Sequence, residues 1–381
     1  MIFISGITIS FFLFFLILLK HQKNQADWIL AVWFGAISIH QLLYYLQMSG
    51  YNQQYSFLEG LILPFPLIHG PLLFLYVSAL VKPLPPGRKD YIIHTLPFTL
   101  CFAYMIPFMM LPAEQKHYVM MHNGVGYEAF LLIKSFAILI LGFGYIIASL
   151  ILIQRHQKNI RMQFSNLDKI NLQWLKYLSY GLFIIWMVVV LGQEVHIFLA
   201  AIVFMMVIGF FGIRQVGIFS KHPIAVPHHH LSKQVVPEIE RKEQVDDSEE
   251  QLRYEKSGLT VERKILLRHQ LKTLMAEEKI FLDPDLSLDS LADRLDIHAN
   301  YLSQFINEEL GATFYDYINN GRVQEFIKRK SLAENQKFTI LALAYDCGFN
   351  SKSSFNRHFK KVTGKSPSEY FQLQDSEAIL N

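Results

Sequence analysis

Thr339–Tyr370 reads TILALAYDCGFNSKSSFNRHFKKVTGKSPSEY, and Ser287–Tyr317 reads SLDSLADRLDIHANYLSQFINEELGATFYDY. Laid side by side, the two are one unit written twice. Ser287 stands where Thr339 stands, Leu288 where Ile340 stands, and Leu291-Ala292 where Leu343-Ala344 stand. Ile297 matches Phe349; after a one-residue insertion Leu302 matches Phe355, Ile306 matches Phe359, Gly311 matches Gly364 and Tyr317 matches Tyr370. Such self-similarity sets the architecture before any single motif does.

Each copy predicts a helix-turn-helix. Ser287 and Thr339 can N-cap a short helix, because their hydroxyls accept from the unpaired backbone N–H groups of its first turn. The Leu and Ala that follow point inward, and the small Ala lets a second helix approach closely. A tight turn comes next, at Asp296-Ile297-His298 in one copy and Gly348-Phe349-Asn350 in the other. The second helix has one apolar face (Leu302, Phe305, Ile306; Phe355, Phe359) and one polar face free to meet a groove. Gly311 and Gly364 are placed to stop these helices.

Working outward, Thr260–Phe281 has apolar residues at helical spacing and is expected to pack on the first copy. Phe314–Asn335 is expected to be one long helix joining the copies. If it holds the second helices on one side at roughly 34 Å, they reach successive major grooves of a duplex.

Leu274–Leu373 thereby resembles the DNA-binding domain of the AraC/XylS family of bacterial transcription regulators, most specifically in LALAYDCGF and SSFNRHFKKVTGKSPSEY. The resemblance covers about a quarter of the chain. It implies activation or repression of transcription, often with contact to RNA polymerase. It puts the base-reading positions at Asn300, Ser303 and Gln304 in the first copy, and at Lys352, Ser353, Asn356 and Arg357 in the second. Chemically, Arg357 suits a bidentate pair to guanine, and Asn300, Gln304 or Asn356 suit adenine. Lys352, Lys360, Lys361 and Lys365 suit phosphates, which position a protein without specifying sequence; the helix N-termini at Ser287 and Thr339 can add N–H donors to phosphates.

The copies differ in charge. Asp283–Asn320 holds one Arg against eight acids, whereas Lys337–Tyr370 holds six Lys/Arg against Asp346 and Glu369. The salt-dependent grip is therefore expected from the second copy and from Lys328-Arg329-Lys330. The first copy must read with neutral side chains or act as scaffold, and Glu308 and Glu309 must face away from phosphate. Weak intrinsic affinity for double-stranded DNA favours a homodimer, or confinement of copies in one plane, through effective concentration.

The other half of the chain is different material. Met1–Ile213 holds 12 Lys/Arg and 7 Asp/Glu, while Arg214–Asn381 holds 23 and 25, so the net charge of +3 is an average over two unlike parts. Crossing a bilayer takes roughly 20 mostly apolar residues. Seven runs are candidates: Ile2–Leu19, Trp28–Met48, Leu61–Val81, Tyr91–Leu111, Ala129–Ile153, Leu178–Leu191 and Ile197–Ile213. The sixth is short and is expected to begin near Trp174, with Lys176 reaching the interface; GQEVH makes a hairpin between the sixth and seventh. The first has no basic n-region and no small-residue cleavage site, so it reads as a retained helix. Lys and Arg alternate between connections: Lys20 and Lys23, then none, then Lys82, Arg88 and Lys89, then Lys116 alone, then Arg155, Lys158, Arg161, Lys169 and Lys176, then none, then Arg214 and Lys221. The positive-inside rule then predicts seven spans, with the N-terminus outside and the C-terminus cytoplasmic, in a bacterial inner membrane. Such an arrangement resembles a membrane-bound variety of the same family and lacks the cupin-like effector domain of its soluble members.

Polar groups within spans are costly and so draw attention. His40, His69, His94 and Lys134, with Glu194 and His196 in the last outer connection, read either as groups bonding between helices or as a signal pocket open to the outside. Residues 215–257 have linker composition, with Pro and mixed charge. Their His228–His230 triplet, with His222, lacks metal-ligand spacing. Cys101 and Cys347 offer no disulfide framework or metal site, and no cofactor is expected.

The fold class expected is all-α, with a seven-helix transmembrane bundle over 1–214, a linker over 215–257 and tandem helix-turn-helix units over 258–381. No HExxH, GxSxG or Walker sequence occurs, so no enzyme is expected. The function expected is transcription regulation coupled to a small ligand, a lipid state or a partner membrane protein. A passive anchor on a constitutive regulator, a transporter or enzyme fused to a regulator, and proteolytic release remain alternatives.

Overall fold

The computed structural model describes residues 2–51, 55–82, 86–168, 170–191, 194–215 and 260–372. The linker expected over 215–257, with its histidines, lies outside the described residues apart from Gln215. Every named element is helical. The chain divides into two units: 1–156 with 172–229, and 157–171 with 230–381.

The first unit holds α1 (Ile2–Leu19), α2 (Gln25–Met48), α3 (Pro66–Val81), α4 (Arg88–Met109), the short α5 (Ala113–Met121), α6 (Glu128–Gln163, whose last two turns belong to the second unit), α7 (Trp174–Leu191) and α8 (Glu194–Gln215). Asn24 starts α2 with a reciprocal capping box to Asp27, whose buried carboxylate also takes Lys20 at 2.7 Å. The core draws on α1 (Leu13, Ile17), α2 (Trp33, Phe34), α3 (Leu73, Tyr76), α6 (Ile146, Ile153), α7 (Leu175, Trp186) and α8 (Met205). Helices cross closely where a side chain is missing: a Cβ on Gly142 would lie 2.7 Å from the Trp186 ring.

The outward faces are as apolar as the inward ones. Ile92, Ile93, Leu96 and Leu100 of α4 and Leu132, Ile133, Phe136 and Ile140 of α6 are all exposed. A helix apolar on every side is stable in water only when covered, and in lipid without cover. Four helices, α2, α4, α6 and α7, are long and apolar enough to cross a membrane; Ile4–Leu19 and Pro66–Val81 are apolar but shorter. Each of the seven runs read from sequence falls on a helix, with two differences. Leu61–Phe65 is a series of turns, and the helix starts at Pro66, whose missing N–H costs nothing at a first helical position. And α6 continues through Gln163, so that Arg155, Lys158 and Arg161 sit on a helix rather than in a loop.

In the second unit, α9 (Val261–Thr273) runs into a single π turn (Leu274–Glu278) and a 3-10 turn (Ile280–Leu282). The helix expected to reach Phe281 is stopped by Lys279, which adopts a left-handed φ of 48°. The first helix pair is α10 (Leu288–Arg294, capped by Ser287) and α11 (Ala299–Leu310, capped by His298 and ended by Gly311). The second pair is α13 (Ile340–Asp346, capped by Thr339) and α14 (Lys352–Thr363, capped by Ser351 and ended by Gly364). Between them runs α12 (Phe314–Lys330), shorter than expected because Ala333–Asn335 forms a separate 3-10 turn.

The joining helix serves two cores. Phe314 and Ile318 complete the first, with Leu271, Phe281, Leu291, Leu302, Phe305 and Ile306; Val323 and Phe326 complete the second, with Leu343, Ala344, Phe349, Phe355 and Phe359. The two turns share one backbone device: Asp296 (φ 52°) and Gly348 (φ 89°) occupy the same left-handed position. Asp tolerates that region, but at Gly348 only glycine fits, because a Cβ would lie 2.7 Å from the Phe281 carbonyl oxygen and 2.8 Å from that of Leu282.

Candidate nucleic-acid interface

The segregation along α14 is complete. Ser354, Phe355, His358 and Phe359 are buried, while Lys352, Ser353, Asn356, Arg357, Lys360 and Lys361 are exposed, as is Lys365 just beyond. Apolar packing on one side thus fixes the rotation of the helix and presents the predicted DNA contacts together on the other. On α11, Leu302, Phe305 and Ile306 are buried; Asn300 and Gln304 are exposed and Ser303 is half-buried.

Several of these side chains are held by groups that the sequence did not single out. Arg357 Nη2 donates to the Tyr315 hydroxyl at 3.0 Å. Lys361 Nζ donates to Asp316 at 2.7 Å, so this lysine is tied to a carboxylate rather than directed only outward. Gln304 donates to Glu308 at 3.0 Å, and Ser353 lies 3.1 Å from the Ser351 hydroxyl. The Lys328-Arg329-Lys330 run is partly committed too: Arg329 pairs with Glu325 at 2.8 Å, alongside Lys279.

The acidic residues of the first pair divide. Glu309 turns to α9, where Lys264 and Arg268 each reach it at 2.9 Å, and the Lys264 hydrogen bond holds its carboxyl below the usual range. Glu308 stays exposed on the side of Gln304. Asp316 is also held low: burial acts upward, but the hydrogen bonds from Lys361 and Thr313 outweigh it. His358, on the buried side of α14, has Nε2 3.9 Å from Asp316; burial pushes it down to about 4, so at neutral pH the two do not form an ion pair. Arg322, 1% exposed, is pushed down to about 10 by burial and stays charged, donating to the Phe281 and Asp283 carbonyls at 2.7 and 2.6 Å.

In the first unit the six polar groups do not gather at one place. His40 Nδ1 and His69 Nε2 lie 3.0 Å apart, with the Phe65 ring stacked on His40. The other ring nitrogen of His69 is buried with no hydrogen-bond partner among the described residues. His94 instead meets the Tyr145 hydroxyl at 2.9 Å, beside Phe74. Lys134 is half-buried on α6, Glu194 begins α8, and His196 is exposed one turn later. Among the described residues no cluster of His, Cys, Asp or Glu could hold a metal ion.

Residues 291–373 match the family described as "Helix-turn-helix domain". The chain is 31% identical over 94 residues to the uncharacterized HTH-type transcriptional regulator YtdP of Bacillus subtilis, covering 25% of this chain and 12% of that protein. It is 33% identical over 92 residues to the uncharacterized HTH-type transcriptional regulator YijO of Escherichia coli, covering 24% and 31%. It is 32% identical over 99 residues to the transcriptional activator RhrA of Rhizobium meliloti, covering 26% and 31%. The chain thus spans about a third or less of the length of these relatives. No solved structure matches it. The C-terminal part of the chain is an AraC-type helix-turn-helix domain.

Proposed function

We propose that this protein is a membrane-embedded, sequence-specific DNA-binding transcription regulator that couples a signal at the membrane to transcription. The observation that carries the reading is the exposed face of α14, where Lys352, Ser353, Asn356 and Arg357 stand together on a helix whose opposite face is core. In such domains the second helix enters the major groove by its N-terminal half. Arg357 then reads guanine, Asn356 and, from α11, Asn300 and Gln304 read adenine, and Ser303 and Ser353 add further base contacts. Lys352, Lys360 and Lys365 contact phosphate.

The apolar outward faces of α4 and α6 support a lipid environment for the first unit. In this reading seven helices span an inner membrane, with the N-terminus outside, a linker over 215–257 and the DNA-binding part in the cytoplasm. A second copy and RNA polymerase are the protein partners. Of the six polar groups in the first unit, His40 and His69 are the ones that come together, and they are the place to look for a small ligand.

Selection of duplexes from a random-sequence pool by the full-length protein in lipid nanodiscs tests the reading. A recovered consensus, lost in Arg357→Ala, is the expected result. Recovery of the pool without enrichment, by protein shown to be folded, would contradict it.

A further inference from the structure

Within the second unit, the segment Gln157–Asn171, made of the end of α6 and the connection to α7, is seated on the helix-turn-helix domain. Phe164 bridges Ser287 as an isolated antiparallel pair, and Ser165 donates to the Leu286 carbonyl from both its N–H (3.2 Å) and its hydroxyl (2.6 Å). The Ser165 carbonyl accepts from Asn319 at 2.9 Å and from Arg322 at 3.3 Å. Ile160, Leu167 and Ile170 close over the Tyr315 ring to form a small core of their own. Ser165, Asn319 and Arg322 are each 1% exposed, so this is a packed interface rather than a passing touch.

The position of that interface matters more than its strength. Ser351 donates to Asp168 Oδ2 at 2.6 Å, and Ser351 is the N-cap of α14, next to Lys352 and Ser353. A carboxylate at the start of a recognition helix lies where the helix dipole and the first N–H groups favour a backbone phosphate. On α11, Asn307 donates weakly to Met162 Sδ at 3.6 Å. Asn307 follows Asn300, Ser303 and Gln304 at helical spacing, so it belongs to the same face. Tyr315 links the two surfaces directly, with its ring under the segment and its hydroxyl accepting from Arg357. The segment therefore touches the DNA-facing side of both helix pairs and the residue that holds Arg357. Lys158 and Arg161 are exposed, so the docking rests on shape and hydrogen bonds.

We propose that Gln157–Asn171 is a built-in competitor for the DNA-binding surface: docked, it takes the phosphate position at α14 with Asp168 and fixes Arg357 through Tyr315; undocked, it frees both. This rests on the DNA-binding reading given above, and it names the device by which that activity is controlled. Because the segment continues α6 in the chain, a change in α6 has a covalent route to it.

The test uses full-length protein in nanodiscs and a random-sequence duplex pool at low salt, where phosphate contacts alone give measurable binding. D168C and S351C are combined and joined by oxidation or a short bifunctional thiol reagent; the native Cys101 and Cys347 are buried. The joined form is expected to lose duplex binding and the reduced form of the same protein to regain it. Separately, D168A is expected to bind about tenfold tighter than wild type, as loss of one charge-assisted hydrogen bond from the docked state implies. Equal binding by joined and reduced forms, or weaker binding by D168A, would overturn the competitor role while leaving the DNA-binding reading in place. No duplex binding by wild type, reduced protein or D168A would overturn that reading and this inference with it.

Discussion

Gly348→Ala should unfasten the second helix-turn-helix, and its cost can be worked from the turn. The residue sits at φ 89°, where an L side chain costs roughly 1–2 kcal/mol. Its Cβ would lie 2.7 and 2.8 Å from the Phe281 and Leu282 carbonyl oxygens, and 2.9 Å from Arg322 Nε. Backbone cannot yield there without drawing the Phe281 carbonyl off its 2.7 Å bond to buried Arg322, a charge-assisted bond whose loss costs about 1.5–3 kcal/mol. The total is ~3–5 kcal/mol, a large share of the roughly 5–15 kcal/mol that holds a typical domain. Asp296→Gly is the matched control: the same left-handed position in the first pair, where glycine relieves strain but adds unfolded-state freedom, for a net effect within about 1 kcal/mol of zero. Amide hydrogen exchange on the full-length protein reads both. Peptides covering α13 and α14 should exchange about a hundredfold faster or more in Gly348→Ala, while those covering α10 and α11 in Asp296→Gly should barely change. Unchanged protection in Gly348→Ala would refute the claim that this turn is locked against the Ile280–Leu282 segment.

Further outcomes are expected. Phe326→Ala, which empties the middle of the second core, should destabilise that half by about 3–5 kcal/mol, seen as exchange rising in α13 and α14 ahead of α10 and α11. Lys352→Ala should lower the salt dependence of duplex binding by about one ion, and Lys361→Ala should lower it by less, because Lys361 is tied to Asp316. Acid should loosen α14. His358 is held near 4, below its unfolded value of 6.5, so the unfolded chain binds the extra proton and stability falls as pH drops from 6.5 toward 4. Asp316, also held low, acts in the same direction at lower pH; Lys361 and Arg357 face the same site. His358→Phe should flatten the upper part of that profile, measured by exchange at α14.

What was legible in the sequence was what local chemistry writes down. The caps Ser287 and Thr339 and the stops Gly311 and Gly364 are single residues with strong preferences, and each lies where the repeat put it. The exposed face of α14 followed from the spacing of Phe355 and Phe359, while the burial of Ser354 and His358 beside them is seen only in the structure. The stop at Lys279 was not legible, because a non-glycine residue in the left-handed region carries no compositional mark. Leu61–Phe65 is apolar enough to pass for helix, and only the Pro64 and Pro66 punctuation argues otherwise. The partners of the site residues were also hidden. Arg357 with Tyr315, Lys361 with Asp316 and Ser351 with Asp168 join positions 42, 45 and 183 residues apart, and no local pattern encodes such pairings.

The most direct measurement is genome-wide DNA occupancy of the full-length protein in cells, beside Arg357→Ala and Lys352→Ala. Discrete sites sharing one sequence, lost in Arg357→Ala and weakened uniformly in Lys352→Ala, are the predicted result. Occupancy indistinguishable between wild type and both variants would contradict the account, because the exposed face of α14 would then not be what reads DNA.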